Sequence, residues 1–247
     1  YAAAKNGARV ILAEDKPRFG GSLLTSDVNI GNQTGVEWTE KIIAELKSMP
    51  NVTVKNRSQV FGYYDHNMLV MSERISDHLP KTQKYLPKQR LWYIRANEVL
   101  ISSGSIERPL VFGNNDTPGV MLSSAAKEYM KVYGVLVGKK PLIFTNNDSG
   151  YETAIEFKKN GVNPIILDTR SNPSSDIITE AKNLNIEIRF SYVVVAAKGY
   201  KKVKSADIAK ISDDKKELFN IENIECDCIC VSGFWTPSLH LASQSGN

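Results

Sequence analysis

The sequence lacks any long apolar run. No stretch approaches the roughly 18 consecutive apolar residues that a membrane-spanning helix needs, so we expect no membrane span. It also lacks an excess of one charge, since 31 Lys and Arg residues stand against 27 Asp and Glu residues. The lysine pairs at 139–140, 201–202 and 215–216 are therefore interpreted as solvated turns rather than as a nucleic-acid-binding stripe. With 247 residues, 42% of them hydrophobic, the chain has the composition of a globular protein of one large or two ordinary domains.

Cysteine is scarce, and the three that occur stand at alternate positions of one apolar run: Cys226, Cys228 and Cys230. Residues two apart in a strand point to the same face, so we expect the thiols to line up. A metal site is conceivable, but a tetrahedral site needs a different spacing and further ligands nearby. Small apolar side chains on a buried strand are the favoured interpretation. The absence of any Cys-x-x-Cys excludes dithiol redox chemistry, and a reducing, cytoplasmic location is predicted.

The chain opens with the order helix, turn, strand, acid. Residues 1–7 are predicted to be the second half of a helix, with Gly7 in the left-handed position after its end. Residues 9–14 are predicted to form a buried parallel strand that Glu14 closes at the carboxyl edge of a sheet. A dinucleotide-binding unit has a strand and a glycine-rich turn before such a helix, so we expect both to precede Tyr1.

Further elements are predicted in the first half of the chain. They are a helix at 38–47, strands at 52–54, 59–61, 68–71 and 90–95, a polar loop at 76–89, and a buried parallel strand at 98–104. The turn residues at 114–119 indicate a crossover between domains.

The second half repeats the opening pattern. A strand at 141–145, a turn at 146–150, a helix at 151–160 and a strand at 164–168 that ends on Asp168 form a βαβ unit. A helix at 177–184 and strands at 187–190, 192–196 and 226–233 follow. We therefore predict an α/β fold of two Rossmann-like, doubly wound domains. The second, residues 114–225, is inserted in the first, residues 1–113 plus 226–247.

Several residues of the predicted first domain suit a dinucleotide. A carboxylate at the end of the second strand, here Glu14, accepts hydrogen bonds from ribose hydroxyls. Three segments with small residues follow in order, where the backbone would pass close to a cofactor: Gly20, Gly21 and Ser22; Ser103 and Gly104; and Gly233. Each segment alone is typical of packing, and together they favour a binding site.

The predicted second domain has lost the glycines of its turn. Residues 145–150 read TNNDSG where a G-x-G-x-x-G turn would stand, and Asp148 would bring negative charge towards a pyrophosphate. A structural relic is favoured over a working site. The three histidines, His66, His78 and His240, are interpreted as structural. The polar-aromatic cluster at 63–67 is assigned to packing or to an interface, and both alternatives stay open.

Longer strings carry a family resemblance. They are VFGYYDHN at 60–67, RLWYIRA at 90–96, GSIERP at 104–109, NNDTPGVML at 114–122, FTNNDS at 144–149 and SGFWTP at 232–237. Together these strings resemble the alpha subunit of heterotetrameric sarcosine oxidase, and the resemblance extends over essentially the whole sequence.

The resemblance implies a function. Such an enzyme oxidises sarcosine to glycine and a one-carbon unit, with tetrahydrofolate as acceptor. It uses FAD and FMN, and its alpha, beta, gamma and delta subunits form one complex. The alpha subunit holds NAD. The resemblance implies no nucleic-acid or membrane partner, and it implies an oxidoreductase acting on CH–NH groups.

The resemblance also implies roles for individual residues. It assigns Glu14 to the adenosine ribose, Gly20, Gly21 and Ser22 to the lining of the cofactor, Val60 and Phe61 to the adenine, and Ser103, Gly104 and Gly233 to the pyrophosphate and beyond. The glycine loop and the folate domain of the family are not in this sequence. No catalytic or metal-binding residue is therefore predicted, and the chain alone is expected to be inactive.

Two alternatives remain. One is a related subunit of a dehydrogenase complex acting on proline, hydroxyproline or an opine. The other is a scaffold that has the dinucleotide fold without catalysis.

Overall fold

The computed structural model describes residues 1–81 and 84–245. Residues 82–83, within the predicted loop 76–89, and residues 246–247, at the end of the predicted first domain, lie outside the described residues. The chain divides into two compact units: unit 1 comprises Tyr1–Gly104 and Pro237–Asn247, and unit 2 comprises Ser105–Thr236. These units differ at both boundaries from the predicted domains, and the domain assignment itself stays a prediction. Among the described residues, no helix has the length and apolarity needed to span a membrane.

Unit 1 is built from small sheets and one long helix. Its elements are α1 (Ala2–Lys5), β1 (Val10–Ala13), a 3₁₀ turn (Gly21–Leu24), β2 (Asn29–Ile30), β3 (Gln33–Thr34), α2 (Gly35–Ser48), β4 (Val52–Lys55), β5 (Ser58–Tyr64), β6 (Met68–Arg74), β7 (Gln89–Arg95) and a second 3₁₀ turn (Ala242–Gln244). Strands β1 and β4 pair in parallel, β2 pairs with β3, and β5, β6 and β7 form an antiparallel sheet. The predicted helix end at 1–7 is confirmed, because α1 is followed by Gly7 with φ of 84°.

Helix α2 begins at a capping box. The Thr34 hydroxyl accepts a hydrogen bond from the Glu37 backbone N–H at 3.3 Å, and the Glu37 carboxylate accepts one from the Thr34 N–H at 2.8 Å. Two of the unpaired N–H groups at the helix start are thereby satisfied. The helix predicted at 38–47 is confirmed, and the cap extends it by a turn at its start.

The strand predicted at 98–104 is wrong. Residues 97–104 have no strand conformation, and the side chain of Leu100 is 92% exposed. A parallel strand is stable only when neighbouring strands pair with its backbone and cover its side chains. The parallel sheet of unit 1 consists of β1 and β4, and among the described residues no strand pairs with this segment. The segment has the apolar pattern of a strand, but no described strand pairs with its backbone.

Unit 2 is organised around a five-stranded parallel sheet. Its elements are β8 (Ser105–Glu107), β9 (Val120–Leu122), α3 (Ser123–Tyr133), β10 (Pro141–Thr145), α4 (Ser149–Lys159), β11 (Ile165–Asp168), α5 (Asp176–Asn183), β12 (Glu187–Phe190), β13 (Tyr192–Lys198), β14 (Ser205–Ile211), β15 (Leu218–Glu225), β16 (Cys228–Ser232) and β17 (Trp235–Pro237). The sheet order is β12-β11-β10-β16-β9, and β13, β14 and β15 form a separate antiparallel sheet. The βαβ unit β10-α4-β11 is confirmed.

The two faces of the parallel sheet are covered differently. Ile143, Ile166 and Cys230 pack against the three helices, in a cluster with Tyr151 and Phe157. Neighbouring residues of the same strands form a second cluster with the antiparallel sheet: Leu142, Phe144, Leu167, Ile229 and Val231 with Val194, Ala206 and Ile208. Alternation along each strand separates the clusters. The parallel sheet is thus buried on both faces, by helices on one and by a sheet on the other.

Strand β16 is an interior strand of this sheet and lies between β10 and the edge strand β9. The predicted first domain includes residues 226–233, whereas their strand belongs to unit 2. The alignment of three thiols is also wrong. Cys228 and Cys230 share the helix-facing cluster, but Cys226 packs in the other cluster. Because β16 begins at Cys228, the alternation of a strand does not extend back to Cys226.

Candidate functional site

Glu14 follows strand β1 at its carboxyl end, and the backbone fixes its position. Its N–H donates to the Lys55 carbonyl at 2.8 Å, and its carbonyl accepts from the Ser58 N–H at 2.8 Å. The carboxylate Oε1 accepts a hydrogen bond from the Lys16 N–H at 3.0 Å. Partial burial raises the pKa of Glu14, and the neighbouring Asp15 raises it further. A half-buried carboxylate at the carboxyl end of a parallel strand has the chemistry that ribose hydroxyls require.

Two of the other predicted residues in unit 1 lie close to Glu14. Strand β5 starts at the residue that donates to the Glu14 carbonyl, so Val60 and Phe61 stand two and three residues from this contact. The pairing of β5 with β6 is shifted between Val60 and Gly62. Such a bulge bends the strand, and the Phe61 side chain is 48% exposed. Phe61 thus lies three residues along β5 from the residue that bonds Glu14, and the contact of its ring with adenine stays a prediction.

The segment from Gly20 to Ser22 contains two glycines with positive φ. Gly20 has φ of 126° and Gly21 has φ of 52°, both in the region that favours glycine. A Cβ atom on Gly20 would lie 3.1 Å from the Leu24 side chain and 3.3 Å from that of Thr39, whereas Gly21 faces open space. Packing against α2 therefore explains Gly20, and the open side of Gly21 leaves room for a ligand.

Ser103 and Gly104 are held by the last segment of unit 1. The Ser103 hydroxyl donates to the Ser238 carbonyl at 2.8 Å, and the Ser238 N–H donates to the Gly104 carbonyl at 2.9 Å. Gly104 has φ of 67° and no atom near the position of a Cβ. Their assignment to a pyrophosphate stays a prediction, as do the roles given to Gly20, Gly21, Ser22 and Val60.

In unit 2, the turn after β10 keeps one of the three glycine positions of a dinucleotide turn. A Cβ atom on Gly150 would lie 2.7 Å from the Cβ of Thr145, so only glycine allows α4 to pack this closely on β10. Counting back from Gly150, the first glycine position is Thr145 and the second is Asn147. The packing glycine is retained, and the glycine that lets a pyrophosphate approach is replaced.

The Asn147 side chain bridges two neighbouring strands at this point. Its Nδ2 donates to the Ser232 carbonyl at 3.1 Å and to the Ser232 hydroxyl at 3.2 Å. These bonds join the carboxyl ends of β10 and β16, where the strand order of the sheet reverses. In open α/β sheets, ligands bind in the crevice at this reversal. Trp235 makes a second link at this edge of the sheet. Its indole N–H donates a hydrogen bond of 2.8 Å to the hydroxyl of Ser149, the first residue of α4.

The acid at the end of β11 is also occupied. Asp168 is fully buried, and its Oδ2 accepts from the Tyr151 hydroxyl at 2.7 Å and from Arg170 Nη2 at 2.8 Å. Its Oδ1 accepts from Arg170 Nε at 3.0 Å and from the Arg170 backbone N–H at 2.9 Å. The other contact of the guanidinium is Asp148, at 2.8 Å. Since a carboxylate has about four acceptor positions, Asp168 has none left for a ribose.

These surroundings shift two pKa values. Burial and the hydrogen bond to Asp168 raise the pKa of Tyr151 well above its usual range. Burial opposes the charge of Arg170, but the bonds to Asp168 and Asp148 outweigh it and raise the pKa of the guanidinium. The Tyr151 phenol is therefore neutral and the Arg170 guanidinium is charged. The sequence patterns point to Asp168 and Asp148 but not to Tyr151, Arg170 or Trp235. The signal available for Arg170 is its position two residues after the acid.

Gly233 has a structural explanation within unit 2. Its N–H donates to the Arg108 carbonyl at 2.7 Å, and a Cβ atom on it would lie 2.8 Å from that oxygen. Close packing on Arg108 thus requires a glycine whether or not a cofactor lies nearby. The role of Gly233 beside a cofactor stays a prediction.

The three cysteines are buried, and two of their thiols have raised pKa values. Burial raises the pKa of Cys226 to about 12, and the hydrogen bond to Cys228 together with burial raises the pKa of Cys230. Thiols held in the protonated form are poor nucleophiles and poor metal ligands. Among the described residues, no cluster of three or more His, Cys, Asp or Glu residues could hold a metal ion.

Two comparisons with known proteins agree with this architecture. The thioredoxin reductase of T. acidophilum matches 98% of the chain with a TM-score of 0.71 at 15% identity, and the chain covers 74% of it. The L-proline dehydrogenase of P. horikoshii matches 99% of the chain with a TM-score of 0.65 at 19% identity, and the chain covers 41% of it. The fold is therefore that of the FAD/NAD(P)-binding oxidoreductases.

Sequence comparison is more specific. The sarcosine oxidase subunit alpha of Rhizobium meliloti (strain 1021) is 36% identical over 245 residues, which are 99% of this chain and 24% of the relative. That of Corynebacterium sp. (strain P-1) is 32% identical over 246 residues, 98% of this chain and 25% of the relative. The chain matches none of the protein-family profiles to which it was compared. The predicted resemblance is confirmed: over nearly its whole length, this chain is a relative of sarcosine oxidase alpha subunits, and it spans about a quarter of their length.

Proposed function

We propose that the chain is the NAD-binding region of the alpha subunit of a sarcosine oxidase complex. The observation that carries the proposal is the similarity of 99% of the chain to a sarcosine oxidase alpha subunit. The full complex would oxidise sarcosine to glycine with tetrahydrofolate as one-carbon acceptor. It would use FAD and FMN and contain beta, gamma and delta subunits. The chain alone should not oxidise sarcosine.

The NAD site is proposed in unit 1, around Glu14. The half-buried carboxylate at the end of β1 supports this choice, together with the open face of Gly21 and the exposed ring of Phe61. A carboxylate accepts hydrogen bonds from both ribose hydroxyls and repels the 2′-phosphate of NADP. We therefore propose NAD rather than NADP as the ligand.

Unit 2 is proposed to hold no dinucleotide. Three features of its crevice support this: the bridge from Asn147 to Ser232, the saturated carboxylate of Asp168 and the hydrogen bond from Trp235 to Ser149. Each uses a group or fills a position that a dinucleotide would need. Unit 2 is then a structural copy of the nucleotide-binding fold.

The experiment is a nucleotide count and titration on the longer protein that contains this chain. Mass spectrometry of the denatured wild-type protein should find one NAD per chain. Charge-assisted hydrogen bonds contribute roughly 1.5–3 kcal/mol, so Glu14→Ala should weaken NAD binding about 10- to 100-fold. Asp65→Ala is the matched control, since it removes an exposed acid from the turn between β5 and β6. Unchanged NAD affinity in Glu14→Ala, two NAD molecules per chain, or equal binding of NADP would contradict the proposal.

The alternative of an amino-acid dehydrogenase subunit is favoured by the likeness to L-proline dehydrogenase, which shows the fold alone. Assays of the longer protein with its partner subunits on sarcosine, proline and hydroxyproline separate the two candidates. Turnover of proline without turnover of sarcosine would establish the alternative.

A further inference from the structure

The hairpin between β13 and β14 carries a dense positive charge. The residues from Lys198 to Lys204 read KGYKKVK, with four lysines and no acid. Lys198 pairs with Asp207 at 2.9 Å. Within residues 1–81 and 84–245, Lys201, Lys202 and Lys204 have no ion-pair partner, and all three side chains are exposed. Of the four lysines, three are therefore not neutralised by any residue that the structure describes.

The next hairpin of the same sheet provides a contrast. Lys215 and Lys216 also form an exposed pair, but they stand among Asp213, Asp214 and Glu217. From the sequence, both lysine pairs are interpreted as solvated turns. Neighbouring acids balance the charge of Lys215 and Lys216, so this interpretation explains them. It does not explain the unbalanced charge at the tip of the first hairpin.

The tip of the first hairpin is rigidly held. Gly199 has φ of 148°, and a Cβ atom on it would lie 1.9 Å from the Lys202 carbonyl, so only glycine allows this turn. The Lys204 N–H donates to the Lys198 carbonyl at 2.8 Å. Val203 is fully buried, and its N–H donates to the Pro118 carbonyl at 2.9 Å. A loop fixed in this way loses little conformational entropy when a partner binds.

Tyr200 is presented at this tip with 92% of its side chain exposed. A tyrosine ring offers a large contact area with few rotatable bonds, which is why tyrosine is frequent among the residues that dominate binding energies. Its neighbours on both sides are lysines or the turn glycine, so a partner that covers the ring must accept positive charge around it.

A second pair of lysines lies beside the hairpin. A Cβ atom on Gly119 would lie 3.3 Å from Val203 and 3.2 Å from the Asp227 carbonyl. Gly119 therefore packs between the hairpin and the segment before β16. The Asp227 carboxylate accepts from the backbone N–H groups of Lys139 and Lys140 at 2.7 and 2.8 Å. Lys140 also pairs with Glu225 at 2.7 Å. Glu225 is thus ion-paired with Lys140, whereas Asp227 is held by backbone N–H groups and keeps its negative charge beside the lysines.

We propose that this surface, defined as Tyr200, Lys201, Lys202, Lys204 and Lys139, docks on an acidic face of another protein subunit. The unneutralised lysines argue for a negatively charged partner, and the exposed tyrosine argues for a partner that covers an aromatic ring. A protein fits better than a nucleic acid, because the charge is concentrated at one tip instead of following a groove, and Asp227 and Glu225 interrupt it. The proposal rests on the proposed function in one respect, namely that the longer protein assembles with other subunits.

The test is assembly of the longer protein co-expressed with its partner subunits. Lys201→Glu/Lys202→Glu should weaken assembly about 10-fold at 0.1 M NaCl, and the difference from wild type should shrink to about 3-fold or less at 0.5 M NaCl because salt screens exposed charges. Tyr200→Ala should weaken assembly at both salt concentrations. Lys215→Glu/Lys216→Glu is the matched control with the same change of charge and should assemble like wild type. Circular dichroism melting curves exclude unfolding as the cause.

Three results would overturn the proposal. They are equal assembly of Lys201→Glu/Lys202→Glu and wild type at both salt concentrations, an equal loss in the control pair, and a wild-type protein that assembles with no subunit. Binding of a fluorescent single-stranded RNA that falls only in Lys201→Glu/Lys202→Glu, with assembly unchanged, would replace the protein partner by a nucleic acid. The NAD content of the same preparations is measured in parallel, so failure of the proposed function is seen separately.

Discussion

Arg170→Ala should destabilise unit 2 strongly, because it removes the cation beside a fully buried carboxylate. Asp168 would keep its bonds from the Tyr151 hydroxyl at 2.7 Å and from the backbone N–H of residue 170 at 2.9 Å, but it would lose both arms of the guanidinium. Breaking a buried ion pair costs about 3–5 kcal/mol. The Arg170 side chain is 31% exposed, so water can replace part of the lost interaction, and we expect about 2–4 kcal/mol.

Two comparisons test whether the loss of stability comes from the buried Asp168 carboxylate. Asp148→Ala removes the other acid from the same guanidinium, but the Asp148 side chain is 45% exposed, and the expected cost is at most about 1 kcal/mol. Arg170→Ala/Asp168→Asn removes the buried charge together with its partner, so it should be less destabilised than the sum of the two single variants, by at least about 1.5 kcal/mol.

The assay is hydrogen exchange of the backbone amides of β10 and β11, which lie in the core of unit 2 and report its opening free energy. The same exchange rates in unit 1 provide the internal reference. If Arg170→Ala and Asp148→Ala cost the same, or if the single and double variants are additive, then the buried carboxylate does not depend on Arg170 and the reasoning is refuted.

Two predictions concern other sites. Partial burial opposes the charge of Glu73, but hydrogen bonds from Lys55 Nζ at 2.9 Å and Trp92 Nε1 at 2.7 Å outweigh it and lower the pKa of Glu73. The ionised Glu73 therefore stabilises the fold above its unfolded pKa of about 4.3, and this stabilisation is lost as pH falls through the lower folded pKa. The free energy of unfolding, measured with urea at pH 7 and pH 3, should fall less between the two pH values in Glu73→Gln than in wild type. An equal fall would contradict this prediction. Phe234 has φ of 78° and is 59% exposed, so Phe234→Gly should relieve about 1–3 kcal/mol of backbone strain against about 0.5–1 kcal/mol of added chain entropy. Phe234→Gly should therefore unfold at a higher urea concentration than wild type. A lower midpoint would show that packing of the Phe234 ring stabilises the protein by more than the backbone strain destabilises it.

Local patterns in the sequence were sufficient to predict the elements that short-range interactions stabilise. The apolar run at 141–145, the helix after it and the run that ends on Asp168 appear in the structure as β10, α4 and β11. Strong periodicity and turn residues reflect short-range physics, which a sequence displays directly. The resemblance strings likewise needed no coordinates, because long motifs are specific in themselves. Glu14 at the end of β1 follows from the same reasoning.

Contacts between distant residues could not be predicted in this way. Residues 98–104 have the pattern of a buried strand, but they form none because no described strand pairs with them. Cys226 leaves the alignment of the other thiols because β16 begins two residues later. The bridge from Asn147 to Ser232 joins residues 85 positions apart at the carboxyl ends of β10 and β16. Side chains at such separations meet only when the sheet is assembled, so whether the groups at this edge are free or already bonded to each other is a property of the packing rather than of any local motif.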